Sequence, residues 1–323
     1  MKSIKALLSL LMALYYLIGH AQTVKLTRQV KSETVENIAA SLKENYIYLD
    51  TAIRMGNFIR QQLNSGSYDT ITMPEVFASR LTTDLLSIYH DGHLSVSYAP
   101  AFTNVQGKTD TALERSRMLK FRKRVNFGFD KAEILPGNIG YLKIGGFFEP
   151  DPAAKAMTLA AFRFVSNSES LIIDLRNNMG GDPRMVSFIC GFFFDRKTHL
   201  NDLYSRKDGS TTAYWAIPDT TLTTLQTTPI YILTSSRTFS AGEELSYDLQ
   251  MQKRALIVGE ITGGGAHPVQ PFPVGQGFIA NVPYARAVNP VSGTDWESIG
   301  IKPDKSAPAD LALEAVLDMI GHK

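Results

Sequence analysis

Pro229-Ile-Tyr-Ile-Leu233 is a short apolar run that enters a turn, Thr234–Phe239, and passes at Ser240 into a helical pattern through Leu245, Tyr247, Leu249 and Met251. A strand that meets a helix through a tight turn constrains the chain strongly, because the helix must pack back on the sheet that holds the strand. The same alternation fills the chain from Val125 onward. Strands are expected at Phe127–Ile134, Ile139–Ile144, Ser170–Leu175, Ile230–Leu233, Ala255–Val258 and Gln276–Ala287. Helices are expected near Ala153–Val165, Arg184–Phe193, Ala241–Gln252 and Ala309–Ile320. This pattern reads as an α/β core. Pro271 to Pro283 reads as a hairpin at a sheet edge.

Before that core the pattern is helical. Val35, Ile38, Ala39 and Leu42 make one apolar stripe, and Ile53, Met55, Phe58, Ile59 and Leu63 make a second. A third helix starts at Pro74 and ends in His90-Asp-Gly-His93, and Leu94–Tyr98 follows as a strand. Residues 22–100 are therefore expected to form a small helical N-terminal domain. A polar stretch from Asn104 and a basic run, Arg115–Arg124, then make a linker over 101–124, with a core over 125–323. The basic run reads as a solvated linker or helix face, with capture of a substrate carboxylate as its functional option.

Residues 1–21 look unlike the rest. A short basic start, an apolar run from Ala6 to Ile18 and Gly19-His-Ala21 form the pattern of a secretory signal peptide, so an exported protein, periplasmic or secreted, is expected. The apolar run is short for a membrane span, and no stable insertion is expected after cleavage. The chain carries 33 Lys and Arg against 31 Asp and Glu, and the leader holds two of the lysines. Without it the formal charge is zero, and no global field favours nucleic acid. Cys190 is the single cysteine and sits in an apolar run, so it reads as a small buried hydrophobe.

A serine at a strand–turn–helix junction can present its hydroxyl beside unpaired helix amides, including that of Ala241, which can face a developing negative charge. The same residues also make a capping box, Ser240 with Glu243, and locally the two readings compete. Leu171–Gly181 is a second strand-to-turn segment, ending in Gly180 and Gly181. With Ala241, those glycine amides suit a two-donor oxyanion hole. His93, just past a helix end, is placed to face a cleft as a base. His90, Asp91 and His93 lack a recognised metal-ligand spacing, so no metal is expected. Gly263, Gly264 and Gly265 lack the lysine and hydroxyl of a phosphate loop and read instead as a backbone lining for an extended substrate; no cofactor is expected.

Taken together, Asp-Leu-Arg-x-Asn-x-Gly-Gly at 174–181, Thr-Ser-x-x-Thr-Phe-Ser-Ala-Gly-Glu-Glu at 234–244 and Gly-Glu-x-Thr-Gly-Gly-Gly-Ala-His at 259–267 resemble the S41 serine peptidases. These include the tail-specific and C-terminal processing proteases, the tricorn core and the interphotoreceptor retinoid-binding protein modules. The resemblance implies a ClpP/crotonase-like ββα-spiral core and hydrolysis of peptide bonds in peptides or unfolded protein segments. It implies Ser240 as nucleophile, with Ala241 and Gly181, or its neighbour Gly180, as oxyanion donors. Tail-specific members place a lysine base where this chain has Gly265. The resemblance to the tricorn and retinoid-binding branch instead implies His93 as base with Glu297; His267 is the rival base and Ser95 a helper near His93. Roughly thirty residues lie between Ser97 and the first core strand, which is short for a PDZ domain. The alternative is a non-catalytic module of the same fold that binds a hydrophobic small molecule or a peptide.

Overall fold

The computed structural model describes residues 25–100 and 111–321. The expected leader and most of the polar stretch after Asn104 lie outside the described residues. Three helices open the described chain: α1 (Arg28–Asn45), α2 (Leu49–Asn64) and α3 (Pro74–Leu86). They bury most of the apolar stripes read from the sequence, with Val35, Ile38, Leu42, Met55 and Ile59 sealed from solvent, while Ile53 of the second stripe is exposed. Their core is shared with a distant part of the chain. Strand β1 (Ser95–Tyr98) pairs antiparallel with β10 (Phe278–Pro283), which pairs with β9 (Val269–Gly275). Val274, Phe278, Ala280 and Val282 of that sheet pack among the N-terminal helices.

The basic run forms α4 (Thr111–Arg124), as the helix-face reading of it expects. It holds Leu, Glu, Arg, Met and Lys and no Gly or Pro, all compatible with a helix. Arg122 anchors it by an ion pair to Asp151 at 2.5 Å.

The centre is a six-stranded sheet in the order β12-β8-β7-β4-β3-β2. Its strands are β2 (Phe129–Leu135), β3 (Ile139–Ile144), β4 (Ser170–Asp174), β7 (Ile230–Thr234), β8 (Ala255–Gly259) and β12 (Lys305–Ser306). All run parallel except β2, which pairs antiparallel with β3. Strands β4 and β7 are buried at every position, as parallel strands covered on both faces must be. One face packs on α5 (Pro152–Phe164), α6 (Pro183–Cys190) and α7 (Ala241–Met251), and the other on α8 (Ala312–Gly321). Cys190 is buried in the first of these cores, as expected.

A third sheet, β11-β5-β6, joins β5 (Thr198–Ser205), β6 (Thr211–Ala216) and β11 (Ala285–Val288). The single strand expected over Gln276–Ala287 is two strands, β10 and β11, that belong to different sheets and break at Tyr284. Because β4 and β7 are neighbouring parallel strands, the turns that leave their C-terminal ends lie side by side. One carries Gly180 and Gly181 and the other Ser240.

Candidate active site

The Ser240 turn is bound to the glycine turn. Thr238 Oγ1 donates to Leu175 O at 2.8 Å, Ser235 Oγ to Arg176 O at 2.5 Å and Phe239 N–H to Asn178 O at 2.9 Å. Ser240 itself has φ 53° and ψ −124°. That is not the extended backbone of an ordinary N-cap, and a non-glycine residue holds it only where its surroundings force it. The force comes from Glu243. Its buried carboxylate accepts from Ser240 N–H at 2.9 Å, Thr262 Oγ1 at 2.5 Å, Gly264 N–H at 2.7 Å and Gly265 N–H at 2.8 Å. Burial pushes the Glu243 pKa up, while these hydrogen bonds pull it down, and the net shift is upward.

The glycines divide their tasks. Gly180 N–H donates to Asn178 Oδ1 at 2.8 Å. Gly180 matters through what it lacks: with φ 101°, a Cβ there would lie 2.6 Å from Ser240 Cβ. Among the described residues, the N–H groups of Gly181 and Ala241 take no part in the turn and loop hydrogen bonds, and both residues line the cavity at Ser240. The three glycines read as a substrate lining do something else. Gly264 and Gly265 give their N–H groups to Glu243, and Gly263 gives its own to Thr238 O at 2.9 Å. No amide of that run is left for an extended substrate, and of the three only Gly265 lines the cavity.

Facing the serine is a cluster of buried titratable groups. In the turn after α3, Asp91 Oδ1 accepts the His93 N–H at 3.1 Å. Asp91 Oδ2 pairs with His267 Nδ1 at 2.7 Å and accepts from Tyr46 Oη at 3.0 Å. Glu297 Oε2 accepts from Ala266 N–H at 2.6 Å and lies 3.6 Å from His267 Nδ1. Ligand-type atoms of Asp91, His93 and Glu297 all fall within 4.8 Å of one another. The His93 ring lies against Phe239, with centroids 4.6 Å apart. A Cβ on Gly265 would meet Phe239 Cζ at 2.3 Å and His93 Cε1 at 2.8 Å. The space beside Gly265 is thus filled by the His93 and Phe239 rings.

The two histidines are tuned in opposite directions. Burial holds His93 down at about 4, against the raising effect of Asp91. Burial also opposes protonation of His267, but its hydrogen bond to Asp91 and the charges of Asp91, Glu297 and Asp295 outweigh it, and its pKa is raised. Burial and the Asp91 charge push Glu297 up to about 7, against His267 and the Ala266 amide. His93 Nδ1, His267 Nε2 and Glu297 Oε1 are buried without hydrogen-bond partners.

A cavity of about 270 Å³ joins the two sides. Ser240, Ala241, Gly181, His93 and His267 line it together with Glu244, Asn201, Tyr214 and Trp296. Glu297 stands behind it, next to Trp296. Ser95 is not part of the lining, and its Oγ accepts from Asn281 Nδ2 at 3.0 Å. Sequence reasoning missed Asp91 as the partner of His267 and Glu243 as the clamp on the serine turn. The capping-box spacing was the one available signal for Glu243.

The chain resembles known proteins in sequence and in fold. The sequence pattern of Peptidase family S41 matches residues 138–307, and that of the N-terminal domain of Peptidase_S41 in eukaryotic IRBP matches residues 17–126. The chain belongs to peptidase family S41. It is 28% identical over 243 residues to carboxyl-terminal-processing peptidase 2, chloroplastic, of Arabidopsis thaliana, covering 70% of this chain and 44% of that protein. It is 26% identical over 228 residues to a carboxyl-terminal-processing protease of Picosynechococcus, covering 66% of this chain and 52% of that one. The chain thus spans about half the length of these curated relatives. Among solved structures, the photosystem II D1 C-terminal processing protease superposes with a TM-score of 0.55 at 16% identity, over 92% of this chain and 98% of that one. Mature CPAF superposes with a TM-score of 0.61 at 14% identity, over 90% and 97%. The tricorn protease does so with a TM-score of 0.57 at 12% identity, over 91% of this chain and 36% of that one. The fold is the ClpP/crotonase-like fold that the sequence motifs imply.

Proposed function

We propose that this chain is an exported serine peptidase that hydrolyses peptide bonds in peptides or unfolded protein segments, with Ser240 as nucleophile, His93 as base and Glu297 in support. The observation that carries this reading is the strained Ser240 turn, held with two unused amides beside it and opening on a cavity that it shares with His93. Ser240 Oγ attacks the substrate carbonyl and gives its proton to His93. The oxyanion is received by the N–H groups of Gly181 and Ala241, the latter at the N-terminus of α7, where the helix dipole adds to the field. His93 then returns the proton to the leaving amine, and water hydrolyses the acyl-enzyme by the same path. A base held at about 4 is unprotonated at neutral pH and ready to accept. Asp91 and Glu297 lie close enough to stabilise the imidazolium that forms transiently.

Export rests on the leader pattern at residues 1–21. The test of the activity is digestion of an unfolded protein and a mixed peptide pool by the parent and by Ser240→Ala, read by mass spectrometry. Fragments made by the parent alone support the peptidase. Equal fragmentation by both removes Ser240 as nucleophile, and no fragments from either favours the alternative of a binding module for an apolar ligand or peptide.

A further inference from the structure

The cavity has an acidic end that the peptidase chemistry does not use. Glu244 lies in the first turn of α7, four residues after Ser240. Both line the same cavity. Glu244 is only 6% exposed, yet among the described residues it has no cationic partner. Its one hydrogen bond is a long one, accepted from Asn201 Nδ2 at 3.5 Å. Asp248 follows one turn deeper, fully buried, with Oδ1 bonded to Asn289 Nδ2 at 3.3 Å and Oδ2 unpartnered. No cation contributes to its environment either. Asp182, the N-cap of α6, adds a negative charge near Glu244, though Arg184 pairs with it at 2.5 Å.

Buried carboxylates are ordinarily paired. Here two are stacked along one helix without a counter-charge, and the upper one opens into the substrate cavity. The walls of the cavity that Ser240 and Glu244 share include Pro183, Leu203 and Ala287, which are apolar, and Tyr214. A lysine or arginine side chain matches this layout, because its aliphatic stem can lie along apolar walls while its charged head reaches a carboxylate. Four residues of helix separate Ser240 from Glu244 by about 6 Å of rise, a span suited to such a long side chain.

We propose that Glu244 is a specificity-determining residue that selects substrates with lysine or arginine at one of the two positions flanking the scissile bond. This rests on Ser240 being the nucleophile. Burial pushes Glu244 up to about 7. An arriving cation completes its ionisation, so the pair forms only when the basic side chain is bound.

The test has two arms. Cleavage sites of the parent in a random-sequence peptide library are mapped by mass spectrometry. Matched substrates that differ only by lysine or norleucine at the favoured position are then compared for kcat/KM, with the parent and with Glu244→Gln. A charge-assisted contact predicts that the parent favours lysine by about 10- to 100-fold, and that Glu244→Gln lowers this ratio by about tenfold or more. Cleavage sites without basic enrichment overturn the inference while leaving the peptidase standing, and so does a lysine preference that survives Glu244→Gln. If the variant does not fold, the library profile of the parent still decides. Absence of any cleavage by the parent overturns the peptidase reading and this inference together.

Discussion

The two sides of the cavity are built on opposite plans. On the serine side the turn framework is tied down, while the N–H groups of Gly181 and Ala241 stay unused: Glu243 collects four hydrogen bonds, and the turns after β4 and β7 are tied together at Leu175, Arg176 and Asn178. On the histidine side, His93, His267 and Glu297 each keep a buried polar atom without a partner, and their pKa values move in different directions. The difference teaches where each kind of work is done. A nucleophile and its oxyanion donors function by being held fixed, and full hydrogen bonding fixes them. A proton-transfer group must change charge, and a fully satisfied group resists that change.

The comparison can be broken most severely at Ser240. Ser240→Ala is expected to abolish hydrolysis, a loss of at least about 10⁴-fold, with a folding cost of about 1 kcal/mol or less. Activity assays beside thermal melts check this, and a large loss of fold would show that the serine is structural. On the histidine side, His93→Ala is expected to lower kcat by about 10²- to 10⁴-fold, and His267→Gln by much less. A larger loss from His267→Gln would exchange the roles of the two rings.

The rigid side is probed by Glu243→Ala. Removing that carboxylate leaves four buried donors unpaired, and denaturant unfolding should show a cost of about 3–5 kcal/mol. A cost near zero would mean that the Ser240 conformation is held by something else.

The smallest effect lies in stability against pH. The folded pKa of His93, about 4, lies below its ordinary value of 6.5. Between those values the unfolded chain binds more protons than the folded one, so the contribution of His93 is fully present above pH 6.5 and declines as pH falls toward 4. His267, with a raised pKa, contributes in the opposite sense, and its stability is lost as pH rises through its folded pKa. Unfolding curves for the parent and His93→Gln should differ in slope over pH 4–6.5, with the parent losing up to about 3 kcal/mol more across that window. Parallel curves would mean that His93 is not desolvated.

The serine side is legible in local sequence pattern, whereas on the histidine side the family resemblance supplies Glu297 and the base role of His93, and the pairing of Asp91 with His267 is not legible at all. A strand, a turn and a helix are local features, and Ile230–Leu233, Ser240 and the α7 pattern lie within about twenty residues of one another. The pairing of Asp91 with His267 joins residues 176 positions apart. It depends on β1 reaching β10, a long-range contact that periodicity cannot show. The glycine run at 263–265 reads as a substrate lining because it follows a strand and lacks the lysine and hydroxyl of a phosphate loop. The partner of its Gly264 and Gly265 amides is Glu243, whose visible local role was only to cap a helix. The β5–β6 hairpin, which supplies Asn201, Leu203 and Tyr214 to the cavity, was passed over because Thr198–Ser205 and Thr211–Ala216 carry many polar residues. Asp208-Gly209 between them was a usable turn signal.

The central claim is that Ser240 is activated by a desolvated His93 held on its unprotonated side at neutral pH. The most direct measurement is the rate at which a fluorophosphonate acylates the protein as a function of pH, with the adduct located by peptide mass spectrometry. The account predicts an adduct on Ser240 whose formation rises through pH of about 4 and is level by pH 6. An adduct elsewhere, none at any pH, or a rate that climbs only above pH 6.5, where His267 titrates, would contradict it.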